Sequence, residues 1–275
     1  MQKVSGVTTN PRGPDVPSPA DRQARFRHLL SGRRWQAVWQ RAMELALPWQ
    51  CPLCGERENR GDETFCDDCL TQLHPPGNCC GRCGAIMGPY ASPTKNCPHC
   101  RRRPYRFRAA RCLNMYDGVL KTVIIRSKSS YSSAPLVGLG RLLIAVQQAW
   151  LTQIEVDCIL PIPQSWLTRL RRNFNPADIL AGCVGRQLGV TVDRHLLCRR
   201  GLRPPQKRVS LQQRYRNQSN AFRLQDARQI RGQRVLLVDD VLTTGATCSE
   251  AARLLKAAGA KDVFVLVAAR VADQR

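Results

Sequence analysis

Three short and almost wholly apolar segments in the second half of the chain predict buried β-strands. They are 157–163, 234–238 and 262–269. The helical patterns that separate them cover about 175–188 and 246–258. Asn175 and Pro176 are the residue types expected at the N-cap and first position of a helix. Continuous apolar strands that alternate with helices are typical of a parallel sheet flanked by helices, so the pattern predicts an α/β domain over residues 105–275.

The first 48 residues have a different pattern and predict two further segments. Residues 1–22 are rich in proline and small polar residues, which predicts a disordered basic arm. Within residues 23–48, apolar side chains recur at helical spacing up to Pro48. This amphipathic helical segment is expected to dock on a neighbouring domain, and a role at a membrane surface remains an alternative.

The lengths of the apolar runs and the net charge indicate where the protein is located and what kind of partner it binds. No unbroken apolar run approaches the roughly 18 residues of a membrane span, and the N-terminus lacks the apolar stretch of a secretory signal. We therefore expect no transmembrane segment and a cytoplasmic location. The formal net charge is +23, which favours a phosphate-bearing partner.

More than half of this charge lies in residues 161–232, where 15 basic residues face 3 acidic ones. The candidate nucleic-acid contacts there are Arg171, Arg172, Arg203, Lys207 and Arg214. Interleaved aromatic residues fit a groove that binds single-stranded nucleic acid by backbone contacts and base stacking. The alternative is an ordinary solvated basic face.

Nine of the 14 cysteines fall between residues 51 and 100, and eight of them form four C-x-x-C pairs. Two residues between thiolates allow a tight turn to direct both sulfurs at one Zn²⁺. The spacing predicts a double zinc ribbon over residues 49–104 that holds two structural Zn²⁺. Sequential pairing gives the ligand sets Cys51, Cys54, Cys66, Cys69 and Cys80, Cys83, Cys97, Cys100. A crossed arrangement stays open, as do Cys79 in place of Cys80 and His74 or His99 as ligands.

The segment from Val235 to Thr247 carries the most specific chemistry. A buried strand leads to two carboxylates, Asp239 and Asp240, and a hydroxyl-rich turn then enters a helix. Ligands bind at the carboxyl ends of strands in open α/β sheets. Amides at the helix N-terminus suit a monophosphate, and the carboxylates suit vicinal sugar hydroxyls, directly or through Mg²⁺. The segment therefore predicts a sugar-phosphate site whose members are Asp239, Asp240, Thr243, Thr244, Gly245, Ala246 and Thr247.

This segment, V-L-L-V-D-D-V-L-T-T-G-A-T, resembles the 5-phosphoribosyl-1-pyrophosphate (PRPP) motif of type I phosphoribosyltransferases. From about Cys51 onward the chain resembles the ComF/GntX family, which joins a double zinc ribbon to a phosphoribosyltransferase-like domain. In the first part of this domain, Pro161, Ile162 and Pro163 resemble the strand end that leads into the pyrophosphate loop, with Arg169 as a further candidate. The sequence departs from the family pattern at Asn173 and Pro176, and where the family has L-K-F this chain has Arg126-Ser127-Lys128-Ser129.

The resemblance implies Mg²⁺-dependent binding of PRPP, with transfer or sensing of this compound, in a protein linked to DNA uptake and utilisation. The alternative is a non-catalytic competence factor that binds single-stranded DNA and keeps the PRPP pocket for regulation or as a vestige. Proteins of DNA uptake and processing are possible partners in both cases. The sequence does not decide between catalysis and binding alone, and it does not specify the acceptor or the oligomeric state.

Overall fold

Six β-strands lie in the part of the chain that the structure describes. That structure is a computed structural model, and it describes residues 50–51, 54–56, 65–73, 77–87, 97–129, 133–164, 174–200 and 221–272. The strands are β1 (Ala109–Met115), β2 (Cys158–Pro161), β3 (Leu197–Arg199), β4 (Phe222–Leu224), β5 (Arg234–Leu242) and β6 (Asp262–Arg270). Four of them form a parallel sheet in the order β1-β6-β5-β2, and β3 and β4 form an antiparallel hairpin. The parallel sheet predicted from the apolar segments is confirmed.

Of the six α-helices in the described residues, two precede β1 and four lie between strands. They are α1 (Asp67–Leu73), α2 (Pro98–Arg102), α3 (Gly118–Ser129), α4 (Ala134–Ile154), α5 (Pro176–Leu188) and α6 (Ala246–Ala257), with a 3₁₀-helix at Ala227–Ile230. Helices α4 and α5 pack on each other, α4 also contacts β1 and β6, and α5 contacts β2 and β5. Helix α6 contacts β4, β5 and β6. The described part from Cys51 onward is one compact unit.

The core lies on both faces of the β5–β6 pair. Side chains alternate across a strand, so Val235 and Leu237 share a buried cluster with Ala251 and Leu255 of α6. On the other face Phe264 meets Trp150 of α4 edge to face, with the ring centroids 6.0 Å apart. Both strands are therefore covered on two sides, which explains their continuous apolar sequence.

The predicted elements agree with the structure to within a few residues. Asn175 is the N-cap of α5, and its side chain accepts a hydrogen bond from the Ala177 amide at 3.2 Å. The sequence reasoning did not identify β1, which lies at the sheet edge and is only partly buried. The predicted boundary at residues 104 and 105 stays a prediction, and the segments 1–22 and 23–48 lie outside the described residues.

Helix α4 bears on the expectation that the chain has no transmembrane segment. It is long and apolar enough to cross a membrane by length and composition, with a mean hydropathy of 1.2 in its most apolar window. The search for unbroken apolar runs missed it because Arg141 and several glutamines interrupt the sequence. Its residues Leu136, Leu139 and Leu143 are fully buried. Buried core helices can have the same length and apolar composition as a membrane-spanning helix.

Candidate functional site

The two motif carboxylates lie at the carboxyl edge of the sheet, within the last part of β5. The strand continues through Asp239 and Asp240 to Leu242, further than the predicted end at Val238. Asp239 pairs in register with Val267 of β6. The turn 243–245 follows, and α6 begins at Ala246. The predicted order of strand, acidic pair, turn and helix is therefore present.

The acidic pair is electrostatically strained. Both carboxylates are half-buried, and the Asp240 amide donates to Asp239 Oδ1 at 2.9 Å. The pKa of Asp239 lies well above the usual aspartate value, because the surrounding protein desolvates the carboxylate and the Asp240 charge lies beside it. A cation beside the pair offsets the repulsion between the two charges.

Lys128 of α3 supplies a cation to this pair. Its Nζ lies 2.5 Å from Asp240 Oδ2, and both side chains are largely shielded from solvent. The sequence reasoning treated residues 126–129 only as a departure from the family's L-K-F and did not assign Lys128 to the site. The lysine of the family's L-K-F is kept here as Lys128, although the residues on either side of it differ. This shared lysine was the feature of the sequence that could have assigned Lys128 to the site.

The threonine turn forms the N-terminal end of α6. Gly245 has φ +74°, a left-handed conformation that favours glycine. Thr244 is buried, and its Oγ1 accepts a hydrogen bond from the Ala246 amide at 3.3 Å, so this hydroxyl and this amide are already paired. The Thr243 side chain is exposed and that of Thr247 is half-buried. The turn can offer an anion the exposed hydroxyl and the amides that follow Ala246 in the first turn of α6.

The predicted pyrophosphate loop begins beside this turn. Strand β2 pairs with β5, and Pro161 lies opposite Val238. The buried Ile162 donates its amide to Val238 O at 2.8 Å, and Asn175 Nδ2 donates to Ile162 O at 3.1 Å. The end of β2 therefore lies opposite Val238, directly before the acidic pair on β5, and Pro163 follows Ile162. Arg169 lies outside the described residues.

The β3–β4 hairpin brings further cations toward the acidic pair. Arg199 lies over the ring of Phe222, 5.7 Å from its centroid. Desolvation by the surrounding protein lowers the pKa of Arg199, and the negative charge of Asp239 acts in the opposite direction. The predicted nucleic-acid contacts Arg171, Arg172, Arg203, Lys207 and Arg214 lie outside the described residues, and the hairpin flanks the segment that holds the last three.

The eight predicted zinc ligands form two groups of four, in which all sulfurs lie within 4.8 Å of one another. The first tetracysteine group is Cys51, Cys54, Cys66 and Cys69, and the second is Cys80, Cys83, Cys97 and Cys100. Sequential pairing is therefore confirmed, and the crossed arrangement is wrong. Cys79 and His99 are in neither group, and His74 lies outside the described residues. None of the 14 cysteines forms a disulfide.

The sulfur geometry of both groups suits a tetrahedral metal. Cys80 and Cys100, like Cys83 and Cys97, have their sulfurs 3.7 Å apart. Zn–S bonds of about 2.3 Å in a tetrahedron give sulfur separations of about 3.8 Å. Burial raises the pKa of Cys83 to about 12. Burial acts in the same direction on Cys80, but hydrogen bonds from the Cys83 and Arg82 amides and with the Cys97 and Cys100 sulfurs together lower the pKa of that thiol.

Fold and site together define a class of protein. A parallel sheet that ends in an acidic pair and a threonine turn is the arrangement of a phosphoribosyltransferase-like domain, here joined to two tetracysteine groups. The phosphoribosyl transferase domain model matches residues 180–275. The matched part begins within α5 and includes the acidic pair and the turn.

Curated relatives extend the likeness to the cysteine groups. DNA utilization protein YhgH of Escherichia coli (strain K12) is 30% identical over 224 residues, which are 80% of this chain and 96% of that protein. Competence protein F of Haemophilus influenzae is 29% identical over 226 residues, 81% of this chain and 97% of that protein. The chain belongs to this family of DNA utilisation and competence proteins, ComF/GntX.

Among solved structures, TT1426 from Thermus thermophilus is 20% identical, with a TM-score of 0.31. The match covers 51% of this chain and 85% of that chain. This score is too low for a detailed comparison of the two folds, so the assignment of the fold rests on the strand order and the domain match.

The two cysteine groups predict independent metal loss. The purified wild-type chain should contain two Zn²⁺, and Cys66→Ser and Cys97→Ser should each contain one, because each substitution removes one of four ligands. Elemental analysis measures this directly. Cys198→Ser is the control, since this cysteine belongs to neither group, and it should keep both ions. A wild-type chain with fewer than two zinc ions would contradict the assignment.

The strained acidic pair predicts an unusual pH dependence of stability. The raised pKa of Asp239 exceeds the unfolded value of about 3.9. The folded chain therefore keeps a proton that the unfolded chain releases, and stability falls as pH rises from about 4 through the raised pKa. Asp239→Asn removes this penalty, so its melting temperature should exceed that of the wild type by a few degrees at neutral pH.

Thermal unfolding without ligand between about pH 5 and 8 tests this, with the difference between variant and wild type growing as pH rises. Asp262→Asn, at the opposite edge of the sheet, is the control and should run parallel to the wild type. If Asp239→Asn also runs parallel to the wild type, Asp239 does not carry the shifted pKa.

Proposed function

We propose that the protein binds PRPP with Mg²⁺ at the edge where β5 meets β2. The observation that carries this proposal is the acidic pair Asp239–Asp240 directly before the threonine turn and the start of α6. A sugar with a 5′-phosphate fits these two groups, since carboxylates accept hydrogen bonds from vicinal hydroxyls and helix amides bind phosphate. The end of β2 lies next to this position, where the pyrophosphate of PRPP would reach.

Different residues would bind different parts of PRPP. Asp239 and Asp240 would hold the ribose hydroxyls, and residues 243–247 the 5′-phosphate. Mg²⁺ would bind with PRPP and offset the charge of the acidic pair and the pyrophosphate. In transfer, an amine nitrogen bonds to C1′ while the C1′–O bond breaks, and pyrophosphate leaves with the electron pair. Lys128, which pairs with Asp240, and Arg199, which lies over Phe222, would stabilise charge on that leaving group.

The tetracysteine groups are proposed to hold two structural Zn²⁺. The short segments between the cysteines bury few apolar side chains, so metal binding would supply much of their folding energy. Eight cysteines arranged as metal ligands fit a reducing compartment, which we take to be the cytoplasm.

Binding of Mg²⁺–PRPP by titration calorimetry tests the main proposal. The wild type should bind, while Asp239→Asn and Asp240→Asn should each bind about 10 to 100 times more weakly, because each loses a charge-assisted contact to the sugar. The matched control Asp262→Asn removes a carboxylate from the opposite edge and should bind as the wild type does. Equal affinity in all four chains would overturn the site. Release of pyrophosphate with a panel of nucleobases then separates transfer from binding alone.

A second candidate function is binding of single-stranded DNA. Relatives of this chain are named for DNA utilisation and competence. Arg199, Arg200 and Arg223 on and beside the hairpin are exposed cations, and Arg199 interacts electrostatically with Asp239 of the acidic pair. Arg199 over Phe222 is the kind of stacked cation that also packs on bases. We propose that this surface handles incoming single strands with the proteins of DNA uptake, and that the PRPP pocket then has a regulatory role or is a vestige.

Fluorescence anisotropy of a labelled oligothymidine tests this candidate. Affinity should fall steeply with salt, with a logarithmic slope of about −0.7 for each phosphate contact. The double variant Arg199→Ser/Arg223→Ser should bind more weakly and have a shallower slope. Arg253→Ser removes an arginine that is paired with Glu250 on α6, and it should match the wild type. Affinity that does not depend on salt would remove the proposed interface.

A further inference from the structure

Tyr105 connects the second tetracysteine group with the threonine turn. It lies three residues after α2, the helix that contains Cys100, and is only 3% exposed. Its ring stacks on Phe107 with the centroids 4.9 Å apart. Both rings belong to the core cluster that also contains Cys80, Cys83 and Cys97. The ligands of the second group are therefore packed into the core of the α/β domain.

The Tyr105 ring lies directly against the turn at Gly245. An ideal Cβ placed on Gly245 would lie 2.6 Å from Tyr105 Cε1, closer than real Cβ contacts come. The ring thus occupies the space that any side chain at Gly245 would need. One residue further on, the Arg106 amide donates to Ser249 Oγ in the first turn of α6 at 3.0 Å. Two neighbouring residues thereby fix the turn and the start of the helix.

Two arginines hold Tyr105 from the side of the second group. Arg82, between Cys80 and Cys83, donates to Tyr105 O at 3.1 Å. The carbonyl of Arg82 in turn accepts from the Ala110 amide of β1 at 2.8 Å. Because Arg82 belongs to the cysteine turn itself, the position of Tyr105 depends on the shape of that turn.

Arg270, at the end of β6, provides the second connection. Its Nη2 donates to the Tyr105 hydroxyl at 3.4 Å, and its side chain is almost fully buried. Its Nη1 has no hydrogen-bond partner among the described residues. Burial acts to lower the pKa of Arg270, but Tyr105 and the Cys83 sulfur raise it above the ordinary arginine value. A tetrathiolate with one Zn²⁺ carries two net negative charges, and a buried guanidinium would offset one of them.

From this chain of contacts we propose that Tyr105 is a positioning residue through which the second tetracysteine group, when it holds its metal, sets the geometry of the turn 243–247. The coupling runs from Cys83 through Arg82 and Arg270 to the Tyr105 ring and then to Gly245. Loss of the metal frees the cysteine turn, and the ring then no longer supports the turn. The ligand-binding consequence rests on the proposed function of that turn, while the mechanical coupling does not.

The first tetracysteine group serves as the internal control. Its helix α1 packs against α3, and α3 meets the site through Lys128 on Asp240. This connection reaches the acidic pair and not the turn. Metal loss from the first group should therefore leave the turn unchanged, although both groups have the same ligand chemistry.

Hydrogen exchange of the protein without ligand is the primary test. Amides of residues 243–249 should exchange faster in Cys97→Ser than in the wild type, and Cys66→Ser should match the wild type there. Zinc content, measured on the same samples, verifies that each variant has lost one ion. Equal exchange in Cys97→Ser and the wild type would overturn the coupling, as would equal acceleration in both cysteine variants.

Variants of the positioning residue itself keep the test valid if Cys97→Ser does not fold. Tyr105→Ala should keep both zinc ions, speed exchange of the turn and weaken Mg²⁺–PRPP binding on the order of tenfold to a hundredfold. Tyr105→Phe keeps the ring against Gly245 and the Arg82 contact to the backbone carbonyl, and loses only the hydroxyl that accepts from Arg270, so it should restore most of both properties. If the turn amides exchange as slowly in Tyr105→Ala as in the wild type, the positioning role is refuted. It is also refuted if these amides exchange as fast in Tyr105→Phe as in Tyr105→Ala. If exchange responds as expected but the wild type does not bind PRPP, the coupling stands and the proposed function fails.

Discussion

The in-register pairing of β5 with β6 is the constraint on which the rest of the structure depends. Each strand has nine residues, is buried on two faces and ends at the same edge of the sheet. One strand carries the acidic pair to that edge, and the other carries Arg270 to the second tetracysteine group. A shift of one residue would exchange the two faces of either strand. It would therefore separate the carboxylates from Lys128 and the guanidinium from Tyr105.

The acidic pair represents a conflict between stability and binding. Two neighbouring carboxylates in partly desolvated surroundings oppose folding, and Lys128 only partly offsets their repulsion. Such an arrangement is stable because the hydrophobic core around β5 outweighs it. Its chemical consequence is a local negative charge at the strand end, which an uncharged strand end would not offer.

The two tetracysteine groups have the same spacing rule but different surroundings. The second group shares the core of the α/β domain and contacts β1, Tyr105 and Arg270, whereas the helix of the first packs on α3. Ligand spacing therefore specifies a metal site without specifying what the site supports. The difference arises because the turn between Cys80 and Cys83 is docked on β1, where the Ala110 amide donates to Arg82.

The sequence alone determined the features that arise within a short stretch of chain. The strand before Asp239, the N-cap of α5 and the grouping of the four C-x-x-C pairs follow from local periodicity, backbone preference and ligand spacing, and the structure reproduces them. Sequential pairing and the placement of Lys128 and Tyr105 were decided only by the tertiary structure. These depend on contacts between distant residues, such as the 165-residue separation of Tyr105 and Arg270. No local pattern encodes such contacts, because they form only when the packed sheet brings the segments together.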